Sequence, residues 1–131
     1  MKYDLVIFDL DGTLMDTSKS ITKTVNSAME ELGKKQYSID ECVKFVGGGV
    51  SGLARNILGK EKYEDVTNEE MEKVIRKYYD IYFDYGVEPY EGIPELLDFL
   101  EQNGVKKGIV TNKDHETALS AVDKKLSKWK F

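Results

Sequence analysis

Tyr3-Asp4-Leu5-Val6-Ile7-Phe8-Asp9-Leu10-Asp11-Gly12-Thr13-Leu14 is the stretch that decides the fold of this 131-residue chain. Its apolar run, residues 5–8, is β-branched and aromatic and too short for a helix. It therefore predicts a strand buried on both faces, as in a parallel sheet. Gly12 ends it. Just beyond the run stand Asp9 and Asp11, spaced i and i+2, which on an extended chain share one side while Leu10 turns away. Two carboxylates ~4 Å apart repel by about 4 kcal/mol at an effective dielectric near 20, so the pair calls for a cation or a shared proton. Magnesium suits so sparse a set, because it takes one or two carboxylates, keeps waters and lets a substrate phosphate complete its octahedron. Phosphate chemistry is thus the first expectation, and a simple Asp-Gly turn closing a strand is the alternative.

The composition frames this reading without deciding it. Hydrophobic residues make up 40% of the chain, with Tyr 8, Phe 5 and Trp 1, which is globular rather than disordered despite 33% charged residues. The length suits one domain, or a small domain carrying an insertion. Lys and Arg number 19 against 24 Asp and Glu, a net charge of −5, which does not favour a nucleic-acid surface. The expected partner is a small phosphorylated metabolite attracted locally. Cys42 is the one cysteine, so no internal disulfide forms; a reducing cytoplasm fits, with the thiol packed inside a helix. The opening apolar run is short and broken by aspartates, which predicts neither a leader nor a membrane span.

Downstream of residues 14–17, read as a linker leaving the sheet, helical patterns dominate. Ile21, Val25, Ala28, Met29 and Leu32 recur at helical spacing behind Ser18 or Ser20, and Gly33 terminates them. Ser38-Ile39-Asp40-Glu41 has capping-box form, and Gly47-Gly48-Gly49 stops the short helix it opens. The glycines precede a further helix with Val50, Leu53, Ala54, Ile57 and Leu58. Gly48 is a candidate for presenting backbone N–H groups to an anionic substrate, and Arg55, one turn on, for pairing with a substrate carboxylate. A flexible connector and a solvated arginine explain the same residues. Thr67-Asn68-Glu69-Glu70 opens a longer helix whose Met71, Val74, Ile75, Tyr78, Tyr82 and Phe83 form a stripe suited to helix packing. No strand is expected in residues 18–86, which read as a helical insertion between two parts of a sheet domain, 1–17 and 87–131.

Residues 86–94 read as the return linker, with Pro94 in the first turn of a helix through Leu96, Leu97 and Leu100. A second strand is predicted over 105–111, its buried part being Gly108-Ile109-Val110-Thr111, parallel to the first by a right-handed crossover. Thr111 then opens toward the same edge as Asp9. A hydroxyl there, with helix N-terminal amides, complements a phosphate oxygen. Lys113 either offers its ammonium to that phosphate or stays in water. His115, the single histidine, is given no role. Ala118, Val122, Leu126 and Trp129 form the apolar side of a last helix, with Lys124, Lys125, Lys128 and Lys130 on its solvated face.

Phe8-Asp9-Leu10-Asp11-Gly12-Thr13-Leu14 resembles the first motif of the haloacid dehalogenase-like (HAD) hydrolases. Residues 89–92, Pro-Tyr-Glu-Gly, and 108–113, Gly-Ile-Val-Thr-Asn-Lys, resemble the phosphoglycolate phosphatase branch. The resemblance implies an α/β fold: a Rossmann-like core, here a partial parallel sheet, with an inserted α-helical cap. It implies a magnesium-dependent phosphatase acting on a small phosphate monoester. Asp9 is then nucleophile and metal ligand; Asp11 is acid and base, and binds the metal through its backbone carbonyl; Thr111 and Asn112 bind the phosphoryl. A carboxylate nucleophile splits one difficult displacement into two easier ones. Two rivals share the residues: a sugar phosphomutase or other phosphotransferase of the superfamily, and a non-catalytic remnant that binds a partner.

The family's third-motif lysine and fourth-motif acidic pair find no counterpart in the residues after Asn112. The chain is accordingly expected to be a truncated product. Its first strand, central in the family, is expected to keep one unpaired apolar edge, through which the chain self-associates or stays only conditionally stable.

Overall fold

The computed structural model describes residues 2–131; Met1, included in the predicted core range, lies outside them. Ten elements follow one another: β1 (Leu5–Phe8), β2 (Met15–Asp16), α1 (Ser18–Leu32), α2 (Ile39–Lys44), α3 (Gly49–Glu61), α4 (Asn68–Tyr82), β3 (Glu88–Pro89), α5 (Ile93–Gln102), β4 (Lys106–Ile109) and α6 (His115–Lys125). They divide into two compact units, Met1–Thr17 with Glu88–Phe131, and Ser18–Val87.

In the first unit β1 and β4 pair in parallel, Leu5 beside Lys106, Val6 beside Lys107, Ile7 beside Gly108 and Phe8 beside Ile109. Parallel neighbours share a face, so one face carries Val6, Phe8 and Lys107 and the other Leu5, Ile7 and Gly108. α5 packs on β4, and Lys107 on the first face reaches Glu101 of that helix at 3.3 Å. Phe8, Leu97, Leu100 and Lys107 are buried there. The second face is open: Leu5 is 51% and Ile7 59% exposed. β1 is therefore buried on one face, not two, because a two-stranded sheet with a helix on one side leaves its other side to solvent. The buried part of β4 is likewise not Gly108–Thr111. Lys107 is its most buried residue, and Val110 is 67% exposed.

Two short segments read as linkers form a ribbon instead. β2 and β3 pair antiparallel, Met15 opposite Pro89 and Asp16 opposite Glu88. A two-residue strand has too few positions to show a period, so the pattern of the sequence cannot reveal it. The last helix ends at Lys125, earlier than its apolar spacing predicts, yet Leu126 and Trp129 remain buried in the turns beyond. The Trp129 indole N–H donates to Asp98 Oδ1 at 2.8 Å and the Lys130 N–H to Glu101 Oε1 at 3.1 Å, tying this segment to α5.

The second unit is helical throughout. α4 packs on α1 and α3, and α2 on α1, around Val25, Met29, Phe45, Leu53, Ile57, Met71 and Ile75. Burying each such side chain contributes about 1.5–3 kcal/mol. Ser38 and Glu41 exchange both hydrogen bonds of a capping box at the start of α2. Thr67 caps α4 by accepting from the Glu70 N–H at 3.1 Å, while its hydroxyl donates to the Glu70 carboxylate. Gly33, at φ +68°, closes α1 as its residue type predicts. Cys42 is buried among these helices, and burial pushes its thiol up to about 11. No helix among the described residues is long and apolar enough to cross a membrane.

Candidate functional site

At the C-terminal end of β1 the chain folds into a tight loop. Leu10, fully buried, anchors it: its carbonyl accepts from the N–H of Leu14 and of Met15, each at 3.0 Å. The Gly12 N–H donates to Met15 O at 2.8 Å, and Gly12 adopts φ +79°, a region closed to most side chains. The ribbon then holds the loop's far end, where the Tyr90 N–H donates to Leu14 O at 3.2 Å. Asp9 and Asp11 flank the buried Leu10. Asp9 is exposed, with Oδ1 accepting from the Leu10 N–H at 2.9 Å.

The end of β4 meets this loop. The Val110 N–H donates to Phe8 O at 2.9 Å, so the residues after β4 emerge beside the residues after β1. Thr111 Oγ1 accepts from the Lys113 N–H at 3.1 Å, folding the turn so that Lys113 points back. Its ammonium reaches both Asp11 carboxylate oxygens, at 3.3 and 3.2 Å. The Lys113 side chain is 5% exposed, that of Asp11 27%. The pairing has a simple cause, because a part-buried carboxylate draws in the nearest cation. Nothing in the sequence distinguished which acid it would meet.

The structure therefore brings Asp11, Thr111 and Lys113 together beside Asp9, with the exposed Asn112 between Thr111 and Lys113. Gly48 and Arg55 lie in the helical unit, where Arg55 Nη2 stands 3.3 Å from the position a Gly48 Cβ would take. All three glycines of residues 47–49 have positive φ, and a Cβ on Gly52 would overlap the Gly47 carbonyl oxygen at 1.7 Å. The glycine loop thus lies directly on α3, and Gly52, which the sequence pattern did not single out, is what lets it. The C-terminal lysines serve the fold: Lys125 pairs with Glu88 at 2.8 Å and Lys128 with Asp98 at 3.5 Å.

The sequence profile of haloacid dehalogenase-like hydrolases matches residues 6–128. The chain belongs to that family. Among haloacid dehalogenase-like relatives, a phosphoglycolate phosphatase of Aquifex aeolicus is 36% identical over 119 residues, 91% of this chain and 54% of the relative. A pyrophosphatase, PpaX, of Halalkalibacterium halodurans is 32% identical over 122 residues, 93% of this chain and 54% of that protein. A solved structure from Lactobacillus delbrueckii subsp. bulgaricus, 29% identical, matches with a TM-score of 0.87 over 95% of this chain and 61% of its own. The chain spans about half the length of the curated relatives it matches. The parallel pairing of β1 with β4 and the helices around it agree with a haloacid dehalogenase-like α/β fold.

As a metal site, the loop offers the Asp9 carboxylate and the groups of Asp11; no group of three or more His, Cys, Asp or Glu occurs among the described residues. Such a donor set fits magnesium, which accepts one or two carboxylates and otherwise keeps water and substrate oxygens, and does not fit a calcium cage.

Proposed function

We propose that the loop after β1 is a phosphoryl-transfer site hydrolysing a small phosphate monoester of the phosphoglycolate kind through an aspartyl-phosphate. The observation that carries the reading is the convergence of Asp11, Thr111 and Lys113 at the strand end that carries Asp9. The 36% identity to a phosphoglycolate phosphatase supports the substrate class. In this reading the sheet-bearing unit, with the 87–131 range taken from Glu88, is the catalytic core. The helical unit is the cap, with Gly48 and Arg55 its candidate substrate contacts, and the protein works in the cytoplasm.

An oxygen of the Asp9 carboxylate attacks phosphorus as the bond to the ester oxygen breaks, and the Asp11 carboxyl gives its proton to the departing oxygen. Asp11, now a carboxylate, takes a proton from water as the water oxygen attacks phosphorus and the bond to Asp9 breaks. That step releases inorganic phosphate and restores both acids. The Lys113 ammonium steadies Asp11 in its anionic interval, and the role assigned to the Thr111 hydroxyl is to donate to a phosphoryl oxygen. Magnesium, held by the Asp9 carboxylate and the Asp11 backbone carbonyl, would neutralise charge on the phosphoryl group.

Hydrolysis of p-nitrophenyl phosphate, 2-phosphoglycolate and pyrophosphate in magnesium buffer, measured for the chain and for Asp9→Asn, tests the proposal. The expected result is phosphate release that Asp9→Asn abolishes, with phosphoglycolate preferred. Equal background for both proteins refutes it and favours a binding module. Preference for pyrophosphate corrects the substrate and keeps the site.

A further inference from the structure

The two acids of the loop after β1 stand in different electrostatic settings. The exposed Asp9 takes a hydrogen bond from the neutral Leu10 N–H at 2.9 Å. Asp11 instead meets an ammonium, with Lys113 Nζ 3.3 and 3.2 Å from its two oxygens. The main chain on both sides places that ammonium. The Val110 N–H donates to Phe8 O and brings the strand ends together, and the Lys113 N–H donates to Thr111 Oγ1 in the turn that follows. The Lys113 side chain is almost wholly buried, so water and salt screen its charge far less than that of a surface lysine. Lys113 is thus a fixed charge of the loop.

Two carboxylates and one ammonium sum to −1, and without the ammonium the sum is −2. A unit charge ~6 Å from a divalent ion changes its binding about tenfold even at the dielectric of water. A loop at −2 attracts magnesium, and repels a phosphate dianion, more strongly than a loop at −1. We propose that Lys113 is a positioning residue acting through this charge: it lowers the loop's affinity for magnesium alone and keeps the loop receptive to an anionic substrate. This role rests on the reading of the loop as a magnesium-dependent phosphoryl-transfer site, and it is separate from steadying Asp11 during turnover. A lysine that only braced the loop would act with the opposite sign. Its removal would loosen the backbone that carries Asp9 and the Asp11 carbonyl, and magnesium would bind more weakly.

Calorimetric titration of the 131-residue chain with magnesium chloride in phosphate-free buffer tests this without turnover. Lys113→Met is expected to bind magnesium about tenfold more tightly, and Lys113→Arg, which keeps the charge, to match the unaltered chain. Asp11→Asn is expected to bind more weakly. The double variant, which loses both charges and keeps the Asp11 carbonyl, is expected to return close to the unaltered affinity. Lys107→Met, at a buried lysine paired with Glu101 instead, is expected to change nothing. Should circular dichroism show Lys113→Met unfolded, Lys113→Gln decides, since it keeps a hydrogen-bond donor for Asp11. Equal or weaker binding by folded Lys113→Met overturns the proposal, as does the absence of magnesium binding from every variant. Asp9-dependent phosphate release beside an unchanged magnesium affinity in Lys113→Met sinks this role alone and leaves the hydrolytic reading standing. Tighter magnesium binding in Lys113→Met without any phosphate release does the reverse.

Discussion

Replacing Lys113 with methionine removes the ammonium that meets both oxygens of Asp11 and keeps the buried aliphatic stem. At 3.2 Å and an effective dielectric near 20 the raw attraction is about 5 kcal/mol. Most of it is offset by desolvating the ammonium, and the 27% exposure of Asp11 lets water take over part of its stabilisation. The net loss expected for Lys113→Met is about 2 kcal/mol, the range of a hydrogen bond to a charged group. Asp11→Asn removes the negative charge that the ammonium meets and is expected to cost a similar amount. The double variant should cost clearly less than the two together, a coupling of roughly 1–2 kcal/mol. Urea unfolding followed by Trp129 fluorescence measures this cleanly. Trp129 is the only tryptophan and belongs to the same unit as the ion pair, so its fluorescence reports on that unit. Strict additivity of the two single variants would refute the reasoning.

Two further outcomes follow from packing and titration. Gly52→Ala drives a methyl group into the Gly47 carbonyl and is expected to destabilise the helical unit by about 3 kcal/mol or more, seen as an earlier far-ultraviolet melting transition, whereas Gly59→Ala, with open space around it, should be tolerated. The Trp129 indole N–H holds Asp98 below the usual carboxylate range, with Lys128 assisting, and the Lys130 N–H, then Lys107, does the same for Glu101. Carboxyls with a depressed folded-state pKa stabilise the fold above their unfolded value, near 4, and lose that contribution as pH falls through the folded value. Urea midpoints read by Trp129 are therefore expected to drop on acidification below about pH 4, and less steeply in Asp98→Asn; an unchanged slope in that variant would contradict the assignment.

Much of this molecule was legible from the sequence because its cues are local. The Ser38 and Thr67 caps, Gly33 after Leu32 and the helical spacing of Met71 and Ile75 each act within a turn or two of chain. The Asp9-Leu10-Asp11-Gly12 loop was equally readable, since a strand end, two acids and a glycine with positive φ are consecutive. What the sequence hid depends on partners far along the chain. The β2–β3 ribbon joins residues 15–16 to residues 88–89, and two-residue strands have no period to recognise.

The residue types and their order were enough to determine the parallel strand pair, the helical insertion and the placing of carboxylates at a strand end, because backbone preference and hydrophobic spacing set these. Tertiary structure alone decided which face of β1 meets α5, that Lys107 rather than the apolar residues after it is buried, and that Lys113 closes on Asp11 across 102 positions of chain. A lone cation's choice among acids depends on distance and solvent access, and neither exists until the two strand ends lie side by side.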